Sequence, residues 1–227
     1  TVVGVTESWN GSAWTETGDL NTARARLTGA GTYTAAIAAQ GGPSNTAATE
    51  IFNGSSWTEV ADLNTVRAAA SPSAAGTSTS AVVFGGTTPG PGITGKTESW
   101  NGTSWTEIAD LATARTWGGG LGTSSSSLMF GGASPPTVAS VEELTVDAAV
   151  GAWATSANIN TARYSAGNAG STSSALIYGG LDPSPAYRSI TESWDGSSWT
   201  EVADLNTARD GIYSAGASST AALATCG

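Results

Sequence analysis

Histidine is absent from this chain of 227 residues, and there is a single cysteine, Cys226. The first absence removes the commonest general base and the commonest metal ligand at neutral pH. The second excludes an internal disulfide, a CxxC pair and a thiolate metal cluster. Cations are also scarce: 8 Lys and Arg stand against 18 Asp and Glu, a formal net charge of −10. Such a chain repels a phosphate backbone, so nucleic acid is not an expected partner. No apolar run approaches the roughly 18 residues needed to span a bilayer, and no secretory leader is recognisable, so membrane insertion is not expected. Thr1 in place of an initiator Met leads us to expect a processed product or a piece of a longer chain. The bulk is Ser, Thr, Gly and Ala, a composition suited to a rigid, chemically inert exterior protein.

What the chain does contain is one motif written five times. Four copies of Thr-Glu-x-x-(Asn/Asp)-Gly-x-x-Trp-Thr-Glu-x-x-Asp-Leu-x-Thr-x-Arg begin at Thr6, Thr49, Thr97 and Thr191, and a degraded copy surrounds Trp153. The Trp ladder (Trp14, Trp57, Trp105, Trp153, Trp199) steps by 43, 48, 48 and 46 residues, and an Arg follows each Trp ten positions later. A period of this length marks a repeat architecture, here one domain over residues 1–227. Thirteen of the 18 acids and five of the eight bases recur at fixed positions, with Glu143 standing for the first Glu of the degraded copy. Groups that return in every unit are expected to build it. The Arg (Arg24, Arg67, Arg115, Arg163, Arg209) is expected to tie an inner strand to a carboxylate or to carbonyls of the adjoining unit. The Trp is expected to fill the gap between units, and Asp19, Asp62, Asp110 and Asp204 to accept nearby backbone N–H groups.

One unit reads as four short strands. Thr49–Phe52 and Ser55–Val60 flank Asn53-Gly54, which predicts a two-residue type I′ hairpin with Phe52 opposite Ser55 and Glu50 opposite Trp57. Arg67 leads a strand of small residues, and Ser80–Phe84 forms another, ended by Gly85-Gly86. The chain opens on the third and fourth strands of a unit (Val2 to Thr17) and closes on the first and second (Arg209 to Gly227). The halves are therefore expected to combine in one sheet and remove free edges. Small residues on the innermost strands (Ala68–Ala70, Gly118–Gly120, Ala166-Gly167, Ala215-Gly216) suit a narrow axis.

These residues resemble the kelch repeat: Phe84-Gly85-Gly86, Glu98-Ser99-Trp100, Trp105 and Arg115 match its hydrophobic strand closing in Gly-Gly, its acidic-aromatic strand, its Trp strand and its Arg. The last copy has Cys226-Gly227 in place of Gly-Gly. The resemblance implies an all-β, five-bladed β-propeller of four-stranded antiparallel blades, closed by N- and C-terminal half-blades. The wording Thr97 to Thr106 is also similar to repeats in tail and virion-surface proteins of aquatic bacteriophages and in large bacterial surface proteins. Copper oxidases on kelch-like propellers rely on His ligands, which this chain lacks. Glycosidases on five-bladed propellers need unmatched carboxylates around the axis.

In a symmetric scaffold, function is expected where the copies differ. After the repeating Arg, the larger residues Arg26, Trp117, Tyr164 and Asp210 replace small ones, and the blade places them at the mouth of the axis. The loops after Gly-Gly (Thr87 to Lys96, Ala133 to Ser140, Leu181 to Ser189) diverge on the same face and add Tyr187 and Arg188. These six residues are the expected binding site, with axial plugs and inert loops as the other reading. The longer hairpin Leu144 to Gly151 is a second expected contact. The expected function is a non-catalytic structural or adhesive module at the virion surface or outside a cell, contacting other protein subunits. The alternative is a lectin-like propeller that binds surface glycans on the divergent face. No catalytic residue, cofactor or metal is expected.

Overall fold

The computed structural model describes residues 2–69, 75–146 and 151–225. A hairpin of β1 (Glu7–Trp9) and β2 (Trp14–Glu16) comes first. Four antiparallel sheets follow, each a meander in chain order. The first is β3 (Thr28–Thr32), β4 (Ala35–Gly41), β5 (Thr46–Phe52) and β6 (Trp57–Glu59). The second is β7 (Ala75–Thr77), β8 (Ser80–Phe84), β9 (Thr97–Trp100) and β10 (Trp105–Ile108). The third is β11 (Gly119–Thr123), β12 (Ser126–Phe130), β13 (Val141–Thr145) and β14 (Ala152–Ser156). The fourth is β15 (Gly167–Ser171), β16 (Ser174–Tyr178), β17 (Thr191–Trp194) and β18 (Trp199–Val202), and a hairpin of β19 (Tyr213–Ser218) and β20 (Ala221–Thr225) ends the chain.

The first strands β3, β7, β11, β15 and β19 adjoin in that order, and residues from all five line cavities on a common axis. The apolar core is divided among the seams between neighbouring sheets. Ile37, Val83 and Trp105 meet between the first and second sheets, Val82, Phe84 and Met129 between the second and third, and Phe130, Ile177 and Trp199 between the third and fourth. β8, the second strand of the second sheet, therefore buries both faces, which is why Ala81-Val-Val-Phe84 reads as an unbroken apolar run. Small inner-strand residues make room for large neighbours: Gly119 lies opposite Phe130 and Gly167 opposite Tyr178. Ala70, Cys226 and Gly227 lie outside the described residues.

The hairpin register differs from expectation. Phe52 pairs with Trp57 and Glu50 with Glu59, so the loop has four residues, Asn53 to Ser56. Asn53 Oδ1 accepts the N–H groups of Ser55 (2.9 Å) and Ser56 (3.0 Å), and only Gly54 has positive φ. This side-chain-capped turn replaces the type I′ geometry. It lets the two aromatics stack at its mouth, 5.1 Å between centroids.

In the degraded copy the repeating carboxylate is Glu142, not Glu143: Val141 lies opposite Phe130, where Thr97 lies opposite Phe84. A slip of one residue turns every side chain of a strand to its other face. Of the longer hairpin Leu144 to Gly151, residues 147–150 lie outside the described residues.

A third difference concerns the chain ends. β1–β2 and β19–β20 stand as separate two-stranded sheets and do not share one. Each half is held by the sheet contiguous with it. Trp57 Nε1 donates to Thr6 Oγ1 (2.9 Å), and Ile212 packs with Tyr178. Among the described residues β20 and β1 share no ladder, and Trp9 and Trp14 remain 46% and 65% exposed.

Candidate functional site at the axial mouth

The turn that enters each inner strand is fastened by the recurring Arg. Arg24, Arg67, Arg115 and Arg163 are buried and ion-paired with Glu50, Glu98, Glu142 and Glu192. The carboxylate comes from the third strand of the same sheet, not from the adjoining unit. The Arg is also on the segment that crosses between sheets, so the pair fixes that crossing. Arg115 further donates to the carbonyls of Gly131 (3.2 Å) and Ser140 (2.7 Å). Glu98 also accepts the backbone N–H groups of Asn64 (2.6 Å) and Thr65 (3.1 Å). Burial pushes the pKa of all four guanidinium groups down, and the paired Glu opposes that shift. Arg209 differs: it is half-buried and donates to the Ala224 carbonyl at 3.3 Å, with no carboxylate partner among the described residues.

Two residues beyond each Arg, the backbone turns left-handed: Arg26 (φ 56°), Ala69 (48°), Trp117 (59°), Ser165 (53°) and Gly211 (60°). Their peptide groups form a hoop about the axis. Ala69 N–H donates to Arg26 C=O (3.2 Å), Trp117 to Ala69 (3.5 Å), Ser165 to Trp117 (2.8 Å) and Gly211 to Ser165 (3.0 Å). Among the described residues, no bond from Arg26 to Gly211 completes it.

Inside the hoop is a cavity of about 290 Å³, lined by residues of all five units including Arg26, Leu27, Trp117, Ile212 and Tyr213. The Arg26 guanidinium lies over the Trp117 ring, 5.6 Å from its centroid. None of the lining residues is acidic. A second cavity of about 250 Å³ lies further along the inner strands, lined largely by glycine backbone with Asn168 and Ser214.

The structure thus brings together Arg26 and Trp117 of the expected six. Tyr164 and Asp210 sit one position earlier, half-buried and outside the lining. Tyr164 instead bridges to Leu181, and Ala68 to Thr87 and Thr116 to Ala133 match it, so the loops after Gly-Gly do flank this face. Tyr187 is exposed on the loop after the fourth sheet's Gly-Gly. Arg188 is paired there with Asp182, whose carboxylate also accepts from Ser184 and Ala186. Those backbone bonds, from Ala186 above all, and the Arg188 side chain hold the Asp182 pKa below its usual value.

Sequence reasoning missed Tyr213 and Ile212. The signal was present as a size exchange. Tyr213 occupies the place of Gly119 and Gly167, and Thr225 opposite it the place of Phe130 and Tyr178. The large ring has moved from second strand to first, and it is 75% exposed at the mouth.

No family model matches the chain, and no curated protein sequence matches it. Among solved structures the chain is similar to that of YjhT, with a TM-score of 0.73 over 93% of this chain and 81% of that one. The fold is propeller-like. Sequence identity is 12%, so the likeness is one of fold alone.

Proposed function

We propose that the chain is a non-catalytic structural or adhesive module: a kelch-type, five-bladed ring on a virion or cell surface that docks other protein subunits through its axial-mouth face. The observation that carries this reading is where ionisable groups are committed. Four Arg–Glu pairs are buried in the scaffold, and Lys96 and Arg188 are paired with Glu107 and Asp182. Among the described residues, the axial mouth alone combines aromatic rings with a base that has no carboxylate or carbonyl partner.

Closure of the ring by the two terminal hairpins belongs to the same proposal. Trp57, Trp105 and Trp153 each donate Nε1 to a Thr on the preceding sheet (Thr6, Thr49, Thr97). By that rule Trp14 belongs on Thr191, whose hydroxyl is buried without a partner. Likewise Glu7 occupies the repeat position that would pair with Arg209. The alternative, a glycan-binding propeller, is favoured by Trp117 and Tyr213 at one cavity, since aromatic faces supply stacking area.

Imaging of the native assembly with a labelled antibody tests the leading reading. The chain is expected on the exterior, with the Arg26/Trp117 face against a neighbouring subunit. Contacts confined to the Asn10, Asn53, Asn101 and Asp195 turns would overturn it. Saturable binding on a glycan array, lost in Trp117→Ala, would replace it by the alternative.

A further inference from the structure

We propose that the axial mouth binds a small carboxylate with an apolar body, its carboxylate on Arg26 and its body against Trp117, Leu27, Ile212 and Tyr213. This rests on the reading of that face as the binding face and names the chemistry it takes.

Seven of the eight bases hold a carboxylate or a carbonyl in the structure. Arg26 is the one base among the described residues with neither, and it lies at a cavity with no acidic lining in a chain of net charge −10. An anion therefore meets less repulsion here than beside the carboxylate-rich outer hairpins. The Arg26 guanidinium, 5.6 Å from the Trp117 ring centroid, has no carboxylate or carbonyl acceptor among the described residues, so its N–H groups can meet a carboxylate in their fork geometry. A volume of about 290 Å³ lies at the lower end for ligand cavities, and the remaining lining is mostly aliphatic and aromatic. The backbone supports the same assignment. Gly211 takes the left-handed hoop position without steric cost, whereas Arg26 and Trp117 place large side chains there at φ 56° and 59°. The hoop needs the backbone conformation only, so large side chains at these two places are explained by their use.

Titration with 4-fluorophenylacetate, followed by fluorine NMR at low salt, tests this on the whole chain. Saturable binding is expected with a Kd on the order of 1 mM. The neutral 4-fluorophenylacetamide and the Arg26→Gln variant should each weaken binding about tenfold or more, consistent with loss of a charge-assisted pair. Lys96→Gln, which removes a base paired with Glu107, should leave binding unchanged, and unaltered melting should show that Arg26→Gln is folded. Equal binding of acid and amide, equal binding by the Arg26→Gln variant, or failure to saturate at ten times that concentration would overturn the proposal. Partner or glycan capture that still depends on Arg26 and Trp117 in that event leaves the face correct and the ligand class wrong. Capture indifferent to both residues removes the face as well.

Discussion

Each third-strand glutamate gathers an Arg and the N–H groups of the incoming turn around one buried carboxylate. Removing one partner of such a pair leaves the other charge buried and uncompensated, a loss on the order of 3–5 kcal/mol. Arg115→Ala is therefore expected to lower stability to urea and heat strongly, while Lys96→Ala, at an exposed pair, should melt close to the parent. Similar melting of the two variants would contradict an architectural role for the recurring Arg. A second residue-scale expectation concerns acid. Asp195 caps its turn by accepting from Ser197 and Ser198, which lowers its pKa from 3.8 to about 2. A carboxylate depressed on folding stabilises fully above its unfolded value and loses that contribution as pH falls through the folded value. Asn10, Asn53 and Asn101 make the same bonds to backbone N–H without titrating. Asp195→Asn should therefore remove part of the fall in melting temperature between about pH 4 and pH 2. An unchanged acid profile would show that this turn does not contribute.

At the scale of the element, the fourth-strand Trp joins sheets through a specific bond as well as by filling space. Trp57, Trp105 and Trp153 find a threonine hydroxyl on the sheet before them at 2.9–3.1 Å. Trp199 faces the degraded copy, where the matching position is Val141, and its Nε1 is buried without a partner. Val141→Thr supplies the acceptor and is expected to stabilise by about 1 kcal/mol, a rise in melting temperature of about 2–4 °C. A lower melting temperature would show that the seam of Phe130 and Trp199 needs the methyl group more than the bond. The recurring Asp is likewise an element-scale fastener. Asp19, Asp62, Asp110 and Asp204 accept the N–H of a Thr thirteen residues earlier, the residue before the recurring Glu. Its position before a turn was legible, but the partner was not, because the hairpin's return decides which N–H lies opposite.

The whole molecule is held by seams and lacks one central core, so each sheet's stability depends on its neighbours. Between β20 and β1 the pattern breaks among the described residues: Trp9 and Trp14 are exposed, Arg209 has no carboxylate and the axial hoop stops at Gly211. Ring closure makes a testable difference there. Glu7 and Glu16 are both exposed in the open arrangement and would tolerate substitution alike. In a closed ring Glu7 takes Arg209 as the other glutamates take theirs. Glu7→Gln is then expected to lose on the order of 3 kcal/mol in urea unfolding, and Glu16→Gln almost nothing. Equal effects would mean that the terminal hairpins stay apart in solution.

By itself the sequence determined the repeat, the four strands per unit, the phase of the strands along the chain, and that the recurring Trp and Arg build the scaffold, though not which groups they meet. These properties recur locally, so a pattern repeated five times reveals them. Only the tertiary structure decided matters that depend on what lies across a gap. It placed Arg26 and Trp117 in one cavity, because both occupy the left-handed hoop position on either side of Ala69 and their side chains meet there, 5.6 Å from guanidinium to ring centroid. It kept Tyr164 and Asp210 out, because one residue's shift along the backbone turns a side chain away from the axis. It added Tyr213 through a size exchange between paired strands, a relation between Tyr213 and Thr225 that only strand pairing makes visible.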